Sequence, residues 1–216
     1  MARPDQPRAV QAAVGDAGFD SYDDPIALEA LLTSVVLIAL AEVGDKTQLL
    51  SLVLAARLRQ PAAIIAGIFL ATLVNHALAG WAGALLAKAL PAHALGWIVG
   101  ISFLAFGIWA LRPDSLEHAP RLGRASAFST TFITFFIAEM GDKTQFATVA
   151  LAARYDALLQ VIMGTTAGMM IANVPAVLFG ERLASKIPAQ AIRLLAAAVF
   201  IATGALTIWG SLPTNA

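Results

Sequence analysis

Long apolar runs separated by short polar breaks dominate the chain after residue 25. Six runs follow one another, at residues 27–56, 61–90, 93–111, 125–153, 158–183 and 189–210. A helix needs about 20 residues to cross the hydrocarbon layer of a membrane, so each run predicts one crossing. Pro61 suits a first helical turn, and Pro91 and Pro188 fall in short connections. The one longer polar link, 112–124, carries Pro113 and Pro120 and divides the chain into halves. Residues 1–25 are polar, with Asp5, Asp16, Asp20, Asp23 and Asp24 against Arg3 and Arg8. No apolar h-region of a signal peptide precedes Ile26, and a disordered tail is expected there. The expected organisation is a tail (1–25), a three-helix unit (26–111), a linker (112–124) and a second three-helix unit (125–211).

The halves repeat at an offset of 97 residues without a gap. Leu54-Ala55-Ala56-Arg57 recurs as Leu151-Ala152-Ala153-Arg154, and Gly67, Gly83, Pro91, Phe103 and Gly107 recur as Gly164, Gly180, Pro188, Phe200 and Gly204. Three helices per half is an odd number, so two in-line copies must run oppositely through the bilayer. The expected fold is an all-α membrane protein, six transmembrane helices as two inverted three-helix repeats. Gly96-x-x-x-Gly100 and Gly164-x-x-x-Gly168 offer close helix contacts, although small residues abound in this alanine-rich chain.

Composition agrees with a lipid-facing surface. The chain is 59% hydrophobic and 13% charged, with mean hydropathy +0.76, whereas soluble domains carry about 25% charged residues. Zero net charge gives no electrostatic case for nucleic acid. Without cysteine there are no disulfides or thiolate metal sites, and three histidines (His76, His93, His118) make a poor basis for a transition-metal cluster. Arg3, Arg8, Lys88 and Arg154 fall on the N-terminal side. Arg57, Arg59, Arg112, Arg121, Arg124, Arg182, Lys186 and Arg193 fall on the other. The positive-inside rule then places the central link in the cytoplasm and both termini outside.

The chemistry concentrates in a stretch that occurs twice, Glu42-Val43-Gly44-Asp45-Lys46-Thr47-Gln48 and Glu139-Met140-Gly141-Asp142-Lys143-Thr144-Gln145. Both copies lie in the middle of an apolar run. On a continuous helix Glu42, Asp45 and Lys46 share a face, as do Glu139, Asp142 and Lys143, with Glu–Lys and Asp–Lys contacts inside each helix. A charge at this depth costs about 2.5–3.5 kcal/mol, which marks such residues as functional. Four carboxylates against two lysines leave two negative charges, which one divalent cation or two protons would neutralise. Competition of that kind is the basis of cation/proton exchange. The donors are hard oxygens: Glu42, Asp45, Glu139 and Asp142, with Thr47, Gln48, Thr144 and Gln145 beside them and Ser51 and Thr148 one turn on. Such a set suits Ca²⁺, Mg²⁺ and Mn²⁺. Gly44 and Gly141 allow close backbone approach, or a local loosening that adds a carbonyl to the site. His76, paired by the repeat with Asn173 and next to Asn75, is a candidate supporting residue or proton relay, or a packing residue. Pro175 is expected to bend the fifth run.

The twin Glu-x-Gly-Asp-Lys-Thr motif, three helices apart, resembles the small manganese/calcium–proton exchanger family, a second branch of the calcium/cation antiporters. The resemblance covers residues 26–210. It implies export of Mn²⁺ or Ca²⁺ from the cytosol against protons, with Glu42, Asp45, Glu139 and Asp142 as metal ligands and Lys46 and Lys143 balancing charge. It implies no prosthetic group, and leaves a homo-oligomer open. Family members occur in Golgi, chloroplasts and bacterial plasma membranes, and the short central link favours the bacterial plasma membrane and a Mn²⁺ exporter. Three other readings use the same residues differently. An exporter of a cationic metabolite would need a wider, aromatic-lined cavity, and a passive channel would use the acids as a ring indifferent to proton gradients. An intramembrane hydrolase lacks its motifs: there is no His-Glu-x-x-His and no Gly-x-Ser-x-Gly, so an enzyme is not expected.

Overall fold

A computed structural model of the chain describes residues 25–113, 126–180 and 188–212. The described residues form eight helices and no strand: α1 (Pro25–Glu42), α2 (Lys46–Leu58), α3 (Pro61–Ala89), α4 (Ala92–Ala110), α5 (Ala127–Glu139), α6 (Lys143–Arg154), α7 (Leu158–Phe179) and α8 (Ala189–Gly210). Five of these, α1, α3, α4, α7 and α8, are long and apolar enough to cross a membrane. The expected tail lies outside the described residues, as does the linker beyond Pro113.

The first and fourth apolar runs are not continuous helices, which corrects the sequence expectation. Each breaks at its motif, α1 from α2 and α5 from α6. The cause is local. Gly44 and Gly141 adopt φ of +78° and +75°, a left-handed conformation that side chains disfavour and a helix cannot contain. Asp45 and Asp142 follow in extended conformation (ψ 166° and 161°) as N-caps of α2 and α6. The exposed amides are bridged forward: Gly44 N–H donates to Gln48 Oε1 (2.9 Å) and Gly141 N–H to Gln145 Oε1 (2.8 Å). The shared helical face predicted for each motif therefore does not exist. The glutamate ends one helix, and the aspartate and lysine begin another.

Small residues set the tightest seams. α7 lies on α1, where a Cβ at Gly164 would come within 2.6 Å of the Leu31 carbonyl oxygen and one at Gly168 within 2.6 Å of that of Val35. α4 lies on α8, where a Cβ at Gly204 would come within 2.7 Å of the Gly100 carbonyl oxygen. Both glycine pairs seen in the sequence thus serve close packing. α3 runs between α5, α6 and α7. α7 continues through Pro175 as one helix. The core is built of Leu37, Ile38, Leu54, Ile64, Ile68, Phe103, Phe135, Leu151, Met169 and Phe200, all at most 2% exposed. Large apolar side chains also cover the outside, Leu206 at 68% and Trp209 at 77% exposed among them. Such a surface suits hydrocarbon rather than water, and the chain is a multi-pass membrane protein.

Candidate cation site

The two helix breaks meet. Lys46, the first residue of α2, pairs with Asp142 (Nζ–Oδ1 2.8 Å), and Lys143, the first residue of α6, pairs with Asp45. The ion pairs therefore cross between the motif copies, and the expected pairs within each helix are replaced. The backbone explains this. Neither aspartate caps its own helix through its side chain, so each carboxylate is available to the other copy. Thr47 Oγ1 reaches Asp45 Oδ2, and Thr144 Oγ1 reaches Asp142 Oδ2, both at 3.3 Å. The N-termini of α2 and α6, with their partial positive charge, also face these acids.

Glu42 and Glu139 are fully buried. Each has one oxygen held by the protein and one that is not. Glu42 Oε1 accepts from Asn173 Nδ2 (3.2 Å), and Glu139 Oε2 accepts from Thr144 Oγ1 (3.0 Å). Glu42 Oε2 and Glu139 Oε1 have no hydrogen-bond partner. Buried polar atoms in this state mark a place for a ligand or a proton, because the cost of leaving them unmade is high.

Amide side chains tie the motifs to α3 and α7, and one of them holds Glu42. Asn173 on α7 donates also to the Met169 carbonyl (3.0 Å) and accepts from Ser51 Oγ (2.7 Å). Gln48 Nε2 donates to the Ala172 carbonyl (3.0 Å). The other half is built differently. Gln145 Nε2 donates to Asn75 Oδ1 (3.3 Å), and Asn75 Nδ2 to the Phe136 carbonyl in the last turn of α5 (3.1 Å). Thr148 Oγ1 turns back to its own helix, donating to the Thr144 carbonyl (2.8 Å). His76 is buried, and neither ring nitrogen has a hydrogen-bond partner.

The two motifs, with Ser51 and Asn173, thus form one bonded cluster to which Asn75 is added, whereas no bond joins His76 to it and Thr148 bonds only its own helix. The repeat does not mark Asn75 as a site residue because its counterpart is Ala172, so the twin-motif signal is silent there. Among the described residues no three acidic or imidazole side chains stand close enough to hold a metal ion. Both aspartates are engaged by lysines, so the arrangement is the ion-paired one.

The family model for "Divalent cation/proton antiporter GDT1" matches the chain twice, at residues 30–118 and 127–215. A Vibrio cholerae protein named "Putative manganese exporter" is 51% identical over 175 residues, 81% of this chain and 88% of that protein. A GDT1-like protein of Synechocystis is 27% identical over 207 residues, 84% of this chain and 98% of its own, and GDT1-like protein 3 of rice is 25% identical over 205 residues, 82% and 72% of the two chains. No solved structure matches at a significant level. Each family match contains one copy of the motif whose ion pairs cross here, and the chain belongs to the GDT1 family of divalent cation/proton antiporters, transporters rather than enzymes.

Proposed function

We propose that this antiporter exports Mn²⁺, with Ca²⁺ as a second substrate, from the cytosol of a bacterium across its plasma membrane in exchange for protons. One midplane site serves both ions, built from Glu42, Asp45, Glu139 and Asp142. The six crossings form two inverted three-helix repeats, residues 26–111 and 125–211. Both termini lie outside, and the 112–124 linker lies in the cytoplasm. The observation that carries the reading is the pair of buried glutamate oxygens, Glu42 Oε2 and Glu139 Oε1, that lack any protein donor.

The steps follow from charge. With lysines on both aspartates, the glutamates hold the two excess negative charges of the site, and two protons neutralise them. An entering divalent cation displaces those protons and draws the aspartates away from Lys46 and Lys143. The lysines then balance the loaded site and re-form their pairs when the metal leaves. Thr47, Thr144, Gln48, Gln145, Ser51, Thr148, His76 and Asn173 shape the cage. Oxygen donors without thiolate favour Mn²⁺ and Ca²⁺ over softer ions. The choice of Mn²⁺ rests on the likeness to the Vibrio cholerae protein.

The test is Mn²⁺ and Ca²⁺ flux into proteoliposomes with and without an imposed pH gradient, for wild type, Glu42→Gln and Glu139→Gln. Gradient-driven flux lost in both variants is expected. Flux indifferent to the gradient would indicate a channel, and no flux from folded protein would move the substrate to organic cations.

A further inference from the structure

The repeat supplies an internal control. Leu54-Ala55-Ala56-Arg57 at the end of α2 and Leu151-Ala152-Ala153-Arg154 at the end of α6 are the same four residues at the same repeat positions. Their surroundings differ. Ala152 and Ala153 are 3% and 4% exposed, whereas Ala55 is half-buried and Ala56 exposed. The site follows the same pattern: the Lys143 side chain is 7% exposed and that of Lys46 30%. Packing is the reason. α4 lies along α6 and covers it. α8, the repeat counterpart of α4, lies against α1 and forms no comparable seam with α2. Identical sequence in a covered and an uncovered setting is what a two-state carrier shows when one side is shut.

The covered end of α6 carries a set of contacts whose partner residues the repeat does not preserve. Tyr155 hydroxyl donates to Glu29 Oε1 near the start of α1 (2.8 Å). Arg154 Nη1 donates to Thr207 Oγ1 on α8 (2.6 Å), its guanidinium lies 5.1 Å from the Tyr155 ring centroid, and its Nη2 is 3.9 Å from Glu29 Oε1. Three helices that do not follow one another in the chain are thereby tied at one end. At the repeat-related positions stand Leu58, Ser126 and Ala110 in place of Tyr155, Glu29 and Thr207, and they cannot make this set of bonds.

We infer that Glu29, Arg154, Tyr155 and Thr207 form a latch that holds the 154–158 side of the carrier shut and biases it toward the state open at the 57–60 side. The inference rests on the proposed inverted-repeat antiporter, in which the opposite state would cover α2 with α8 and release α6 from α4. The latch must open once in each transport cycle. Its strength sets how much of the protein waits in one state, a ligand-independent property of the chain.

The chain contains no cysteine, so single thiols report accessibility cleanly. Ala56→Cys and Ala153→Cys occupy equivalent positions, and Ala153 borders a cavity of about 360 Å³ that accommodates the added sulfur. A polyethylene-glycol maleimide too bulky for that cavity is applied to the purified full-length protein without metal. Position 56 should react faster than position 153. Tyr155→Phe and Thr207→Val should each raise the rate at 153 about two- to tenfold, the population shift from one hydrogen bond to a charged, solvent-screened group, and lower the rate at 56. A rise at 153 with 56 unchanged would show local loosening and overturn the latch, as would no change at either position. If one variant unfolds, seen as equally fast reaction at both positions, Glu29→Gln takes its place. Because labelling needs no transported ion, its outcome is independent of whether Mn²⁺ is the substrate.

Discussion

Lys143→Met should destabilise the protein far more than Lys46→Met, although the two lysines occupy equivalent places in the repeat. Lys143 is paired with Asp45, whose side chain is 0% exposed, and is itself only 7% exposed. Removing one partner of a buried ion pair costs about 3–5 kcal/mol, because it strands the other charge away from water. Lys46 is 30% exposed opposite Asp142 at 5%. Water screens that pair, and its loss should cost about 1–3 kcal/mol, in the range of a hydrogen bond to a charged group. Combining Asp45→Asn with Lys143→Met removes both charges and leaves none stranded. The double variant should therefore be more stable than Lys143→Met by about 2 kcal/mol or more, a coupling read directly from a double-mutant cycle. The assay is thermal unfolding of purified protein followed by tryptophan fluorescence. Mn²⁺ should recover more stability in Lys143→Met than in wild type, because the stranded Asp45 carboxylate adds a ligand and a negative charge to the state that binds metal. Equal losses for the two lysine variants, or a double variant no more stable than Lys143→Met, would refute the crossed, unequally buried pairing.

Three further outcomes follow from particular contacts. Gly44→Ala and Gly141→Ala should each lower thermal stability by about 1–2 kcal/mol, the cost of a side chain in the left-handed region. Gly44→Ala should lose more, since its Cβ would meet that of Ala189 at 3.2 Å whereas Gly141 has nothing within 4 Å. Asn173→Ala removes the amide that orients Glu42 and strands Ser51, so the KM for Mn²⁺ should rise roughly tenfold, equivalent to about 1.4 kcal/mol. In flux assays Ser51→Ala should show a smaller rise in the same direction. Gly83→Ala should yield little folded protein, because the new Cβ would drive into the Val149 backbone carbonyl where α3 crosses α6. Gly80→Ala on the same helix meets side-chain atoms of Leu158 and Ile162 and no backbone, and should be better tolerated than Gly83→Ala in expression and gel filtration.

Hydrophobic periodicity and the 97-residue repeat made the helical class and the site's ionisable residues legible, because both depend on residue type along the chain. The helix breaks were less legible. Glycine beside a buried acid admits either a continuous helix or a left-handed turn, and the choice depends on whether a side chain such as Gln48 bridges the exposed amide. The crossed pairing was invisible, since spacing within one motif favours partners three and four residues away and says nothing of a second chain segment. Asn75 was hidden for the opposite reason: it has no polar counterpart, so the strongest signal in the sequence pointed past it.

One property lies beyond any reading of the repeated part. Arg57 and Arg154 end identical tetrapeptides, yet Arg57 is exposed and Arg154 is half-buried with its guanidinium on Thr207. Identical segments cannot by themselves say which half is covered, because exchanging the two halves leaves their sequence contribution to the energy unchanged. Only residues that break the repeat can favour one state. Glu29, Tyr155 and Thr207 break it at the covered end, and Asn75 and Asn173 break it beside the motifs. The repeated residues therefore supply the charges of the proposed site. The unrepeated ones tune how those charges are held and, in the proposed latch, decide toward which side the carrier waits.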